Sequence, residues 1–281
     1  MAYKTILAHL NNEDQVSRLI EVAMRMALPA NAHLTGLFVV PHVPFSSQIF
    51  PKVSGAIIQG GLDTYRKAGE RIHQAFEKAV IGQPIVAEWR QYEAKRPGHL
   101  GAVLDHARAA DLVIAAQKES DWDYADMFNV PDWIVMESGR PVLIVPKSGE
   151  IHSIGERVLV AWNNSRESSR AVFEALPLLM AAKEVRVLCV EESGKPQTTS
   201  DLPGAEICAA LARHGVTCVA DHIKPSAQRE PGELLLDQVG KHNCDVLVMG
   251  CYGRSRLSEF ILGGASRHVL QHATVPVLMA H

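Results

Sequence analysis

The chain repeats itself once, on the scale of a whole domain. Ile6-Leu7-Ala8-His9-Leu10-Asn11-Asn12 is answered by Val158-Leu159-Val160-Ala161-Trp162-Asn163-Asn164. Ala110-Asp111-Leu112-Val113-Ile114 is answered by Cys244-Asp245-Val246-Leu247-Val248, and Arg140-Pro141-Val142-Leu143-Ile144-Val145 by Val275-Pro276-Val277-Leu278-Met279. Solenoid repeats have far shorter periods, so the pattern implies duplication of a domain. The boundaries read from it are 1–147 and 155–281, joined by the turn-rich stretch Pro146–Gly155. The copies part company after the fourth strand. The second reads Gly250-Cys251-Tyr252-Gly253-Arg254-Ser255, whereas the first reads Ala116-Gln117-Lys118-Glu119-Ser120-Asp121.

Each half alternates short β-branched runs with amphipathic stretches. Strands are expected at 5–9, 34–40, 84–89, 111–115 and 141–145, then at 157–161, 184–190, 216–222, 245–249 and 275–279. Helices are expected at 14–27, 62–80 and 100–109, then at 165–181, 205–214, 232–241 and 265–272. This alternation predicts an α/β fold with a mostly parallel sheet in each half, covered on both faces. The unbroken apolar runs Leu112–Ile114 and Val246–Met249 suit strands buried on both sides. The offset between copies is 158 − 6 = 152 at the first strand and 245 − 111 = 134 at the fourth, so the first half carries 18 extra residues. Pro41–Gly61 is the expected place. Two readings stay open there: a surface loop packed on its own apolar residues, or a lid or partner-contact loop.

Composition narrows the classes. With 281 residues, 47% hydrophobic and 21% charged, the chain has material for two cored domains. A net charge of −3 argues against a nucleic-acid binder. No apolar run approaches the span of about 18 residues a membrane helix needs, so the expectation is a cytoplasmic protein without a membrane segment. The five cysteines all lie in the second half, without a CxxC pair, which speaks against a disulfide framework or zinc site. Cys189 reads as core. Cys251, in the glycine loop, is the one flagged as reactive.

In an open α/β sheet, ligands gather beyond the carboxyl ends of the strands where strand order reverses. Gly250 and Gly253 let backbone N–H groups approach a ligand closely. Gly263 and Gly264 precede a helix whose N-terminal N–H groups and dipole suit a phosphate. Arg254 adds charge, Ser255 and Ser266 add hydroxyls, and Asn163 and Ser165 follow the first strand of this half. The competing reading is that the glycines only shape a tight connection. In the first half, Glu119, Asp121, Asp123 and Asp126 replace the glycines and would repel a triphosphate. Asn11-Asn12 there reads as a helix-capping turn, and Arg166–Arg170 as a solvated charged face.

Gly250-x2-Gly253-x9-Gly263 after a buried strand, followed by a helix and a Val-Pro-Val strand, resembles the universal stress protein family. The opening Val-Leu-Val-Ala-Trp-Asn-Asn-Ser is similar to that family's first strand and turn, and the resemblance covers both halves. It implies two tandem doubly wound, Rossmann-like domains, each with a five-stranded parallel sheet, forming an internal pseudo-dimer through their closing strands. A further homodimer is compatible with it. It also implies an adenine nucleotide, ATP or AMP, with or without Mg²⁺, in the second half. The residues carried over are Asn163, Ser165, Val190 (where adenine packs), Gly250, Gly253, Arg254, Ser255, Gly263, Gly264 and Ser266. Two side chains depart from the ATP-binding pattern: Asn163 stands for Asp, and Gly264 for Ser or Thr. No catalytic base or metal site stands out, so the expected role is regulatory binding with at most slow ATP hydrolysis. The alternatives are a nucleotide-free interaction or chaperone-like protein acting through 41–61 with a protein partner, and a binder of another small phosphorylated metabolite.

Overall fold

The computed structural model describes residues 2–42, 55–97, 99–117, 130–190, 203–223, 229–251 and 264–281. Gly253, Arg254, Ser255 and Gly263, the acidic segment 119–126 and residues 43–54 of the expected insertion lie outside them. The chain resolves into two compact units, Tyr3–Ser138 and Gly139–His281.

The first unit runs β1 (Thr5–His9), α1 (Val16–Ala30), β2 (His33–His42), α2 (Gly55–Val80), β3 (Val86–Pro97), α3 (Leu100–Ala107), β4 (Leu112–Ala116) and α4 (Val130–Glu137). Its strands lie in the order β3-β2-β1-β4, every pairing parallel. α1 packs on α2 and α3 on α4, the pairing of a doubly wound sheet. α1 stops at Asn31, whose left-handed backbone (φ 46°) ends the helix; Asn tolerates that conformation better than most residues. The extra length of this half is largely helix. α2 has 26 residues against nine in its counterpart, and it absorbs the end of the expected loop, Gly55–Gly61.

The second unit runs β5 (Val142–Val145), β6 (Arg157–Trp162), α5 (Arg166–Glu174), α6 (Leu176–Leu179), β7 (Glu184–Val190), α7 (Ala205–Arg213), β8 (Cys218–Ile223), α8 (Pro231–Lys241), β9 (Val246–Gly250), α9 (Gly264–His272) and β10 (Val277–Ala280). Five strands pair in parallel in the order β8-β7-β6-β9-β10. The single helix expected over 165–181 is two, because Pro177 cannot extend the first and starts the next. β5 and β10 are fully buried, and they pair antiparallel, Leu143 opposite Leu278. β5 closes the first repeat in sequence, yet it falls in the second unit, where it pairs with β10.

The repeated Asp has a backbone role in both units. Asp111 accepts from the N–H groups of Lys4 and Thr5 at 2.8 and 3.0 Å. Asp245 accepts from Gly155, Glu156 and Arg157 at 3.0–3.1 Å and from the Ser153 hydroxyl. Each carboxylate thereby ties the start of the unit's first helix-flanked strand to the start of the inner one. Four acceptor bonds at Asp245 also fix the end of the linker.

Candidate functional site

Strand order reverses in both units, at β1 in the first and at β6 in the second, and the expected residues lie in the second. β6 is flanked by β7 on one side and β9 on the other, so the chain reverses direction across the sheet at β6. A crevice beyond the carboxyl ends of these strands is where such sheets take ligands. Asn163 follows β6, Val190 ends β7 and Gly250 ends β9, so three of the expected residues come together. Val190 is half-buried at the strand end, opposite Ile223 of β8, an apolar surface still open on one side.

The turn after β6 is built by its own side chains. Asn163 Oδ1 accepts from the N–H of Ser165 at 3.2 Å, and Asn164 takes a left-handed conformation (φ 54°). Ser165 caps α5: its hydroxyl accepts from the N–H of Ser168, and the Ser168 hydroxyl accepts from the N–H of Ser165, both at 3.1 Å. This reciprocal capping satisfies two helix-end donors. Ser165 is thus committed to the helix, while Asn163 stays exposed. The expected solvated face over Arg166–Arg170 is corrected here. Glu167 and Ser168 are buried, because the end of β9 presses on this first turn.

Gly250 is the residue that permits that approach. A Cβ there would stand 2.5 Å from both the Glu167 carbonyl carbon and the Ser168 nitrogen, inside any tolerable contact. Its role in packing is therefore explicit. Gly264 differs: it is exposed, and among the described residues a Cβ would meet only the Glu230 carboxylate, at 3.8 Å. Gly264 opens α9, and Ser266 is buried in its first turn. α8 begins alongside, with Gly232 so close that a Cβ would lie 2.8 Å from the Ala265 carbonyl oxygen. Two helix N-termini thus meet with Glu230 beside them, a positive-dipole corner next to a carboxylate. Cys251, flagged as reactive, is fully buried, its N–H bonded to the Ala280 carbonyl at 2.9 Å. A small oxidant cannot reach it there.

The corresponding corner of the first unit is closed. Of the Asn11-Asn12 pair expected to form a helix-capping turn, Asn11 takes no part in the turn. Asn12 shapes the turn before α1, accepting from the N–H groups of Asp14 and Gln15, and the α1 N-cap is Gln15, without a side-chain cap bond. Asn11 instead accepts from the Val39 N–H at 3.2 Å, donates to the Val39 carbonyl at 2.8 Å and donates to the Tyr65 hydroxyl. Strand register offsets the units by 184 − 33 = 151 here, so Val39 corresponds to Val190. Tyr65 of α2 stacks on Phe38 at 5.0 Å. Its ring keeps some solvent contact, but its hydroxyl is enclosed and burial pushes its pKa up to about 12. Beside it, His9 and His99 stack at 5.9 Å and are almost fully buried. Burial, with the charge of His99 adding to it, takes His9 down to about 3, against a weak pull the other way from its hydrogen bond to Asn11. Burial takes His99 down to about 4. Nothing in the sequence pointed to Tyr65 or to this pair, since all of them depend on where α2 and α3 dock.

The universal stress protein family profile matches residues 155–281. Residues 155–281 are a universal stress protein domain. Its glycine-lined corner is the part of that domain described above. Over 147 residues, 52% of the chain, a universal stress protein of Synechocystis sp. is 24% identical. The match covers 48% of that relative, so the chain spans about half its length. A universal stress protein from Archaeoglobus fulgidus has a TM-score of 0.67 at 17% identity, covering 98% of this chain and 95% of that one. A functionally unknown protein from Pseudomonas aeruginosa has a TM-score of 0.59 at 16% identity, covering 99% and 92%. These likenesses establish the universal stress protein fold over nearly the whole chain, consistent with tandem domains. Among the described residues no helix is long and apolar enough to cross a membrane.

Proposed function

We propose that the second unit binds an adenine nucleotide and that the protein acts as a regulatory, stress-responsive binder without efficient turnover. The carrying observation is the convergence of Asn163, Val190 and Gly250 at the strand-order reversal, beside the paired helix N-termini of α8 and α9. Val190 offers an apolar surface to a base, Asn163 an exposed amide to a sugar or base edge, and Gly264 a backbone N–H at the start of α9 to a phosphate. The sequence adds Gly253, Arg254, Ser255 and Gly263 between β9 and α9. A universal stress protein has been solved in complex with cAMP; for this chain the residues carry the reading. The first unit, with Tyr65 and Asn11 across the equivalent strand ends, takes no nucleotide in this reading.

Calorimetric titration of the full chain with ATP and AMP tests it, alongside mass analysis of small molecules released on denaturation. One site per chain is expected, weakened at least tenfold by Val190→Glu, which sets a carboxylate where the base would pack. Absence of heat at millimolar nucleotide ends the proposal.

A further inference from the structure

We propose that Cys208 and Cys218 form a reversible intramolecular disulfide that staples α7 to β8 when the protein meets a peroxide. The placement follows from packing. A Cβ at Gly204, at the start of α7, would lie 3.6 Å from Ala220 of β8, 3.6 Å from Val187 and 3.1 Å from the sulfur of Cys189. Gly204 therefore sits over the Val187–Ala220 pair, which are register partners. α7 runs back along the sheet before β8 begins, so four helical residues forward cover about 6 Å. Two strand residues backward cover about 6.6 Å. Cys208 lies four residues after Gly204, and Cys218 two before Ala220 on the same face of β8. The two steps match, which sets one thiol over the other.

Burial, with the neighbouring Cys218 adding to it, holds the Cys208 thiol up to about 12, in keeping with that placement. Both residues keep partial exposure, so a small oxidant reaches them. Cys189 also acts on Cys208 electrostatically and is the rival that the test excludes. It is buried and registers with His222, four residues along β8 from Cys218, about 13 Å away. The Cys218 sulfur, as a thiolate, makes the first attack. It attacks one peroxide oxygen; the O–O bond breaks, hydroxide leaves and takes up a proton as water, and Cys218 becomes a sulfenic acid. The Cys208 sulfur then attacks the Cys218 sulfur, forming S–S and breaking S–O. The departing hydroxide leaves as a second water with the Cys208 proton.

The test treats the full chain with hydrogen peroxide, alkylates it with N-ethylmaleimide in denaturant and maps the cysteines by mass spectrometry. The expected chain has lost about 2 Da. Its Cys208 and Cys218 peptides are joined, Cys189, Cys244 and Cys251 are alkylated, and dithiothreitol restores all five thiols. Cys208→Ser, a near-isosteric change, should abolish the mass loss and leave oxygen on Cys218. The proposal fails if the wild type keeps five alkylatable thiols, if the link includes Cys189 or joins two chains, or if Cys208→Ser still loses the two hydrogens.

Discussion

Asn11 and Asn163 hold the same place in the two repeats and are used in opposite ways. Asn11 is spent inside its unit, clamping both backbone groups of Val39 and the Tyr65 hydroxyl. Asn163 is exposed and makes one local bond, to the N–H two residues on. Around Asn11 stand an aromatic ring and two buried imidazoles. Around Asn163 stand a half-open valine, a glycine end and two helix N-termini. An identical residue after an equivalent strand therefore says little about a ligand. What decides its role is whether a neighbouring helix is long enough to reach over it, as the 26-residue α2 does and the nine-residue α7 does not.

The largest test of this contrast strikes the packing of the second corner. Gly250→Val forces a side chain into the α5 backbone and should cost more than about 3 kcal/mol in urea unfolding. Gly264→Ser, which among the described residues meets only a carboxylate at 3.8 Å, should be tolerated within about 0.5 kcal/mol. Equal costs would remove the distinction between a packing glycine and an open one.

Acid should separate the units next. His9 and His99 titrate near 3 and 4 in the folded chain against 6.5 unfolded, so the unfolded chain binds more protons below 6.5. Their stabilising contribution is complete above pH 6.5 and is lost as pH falls toward 4. By about pH 5 the loss approaches about 2 kcal/mol per imidazole. Melting curves should show Tyr3–Ser138 giving way first as pH drops, and His99→Gln should flatten that dependence. A first unit as acid-resistant as the second would mean the imidazoles are not buried as described.

Replacing the matched asparagines gives the direct comparison. Asn11→Ala strands both backbone groups of Val39 and should cost about 2 kcal/mol, whereas Asn163→Ala loses one exposed turn bond, about 0.5 kcal/mol. Denaturant midpoints of the two variants decide it, and the reverse order would sink the closed-versus-open description. The smallest effect is at Glu230. Its carboxylate stands 3.8 Å from where a Cβ would sit on Gly264, so Glu230→Gln should tighten ATP binding a few-fold, about 1 kcal/mol or less. Unchanged or weaker binding would show that this carboxylate does not face the phosphates.

Much of the fold was legible because it is written in local pattern. β1 and β7 fall where alternation and β-branching put them, and the buried strands are the unbroken apolar runs. Helix ends were less legible. Asn12, Asn31, Ser165 and Pro177 carry signals, but competing caps shift boundaries by a few residues. At the site, the sequence named the residues at the strand ends of the second unit without distinguishing their jobs. Ser165 turned out to be a helix cap, and Gly250 a contact on Glu167 and Ser168.

By itself the sequence determined the doubling, the α/β class, the family of the second half and the absence of glycines from the first half's loop. These rest on residue type and spacing along one chain. Tertiary structure alone decided that Tyr65 and Asn11 shut the first corner and that Glu230 stands beside Gly264. It also brought Cys208 onto Cys218. Each of these joins residues from different elements, and such contacts follow from how helices and strands dock, which no local pattern encodes.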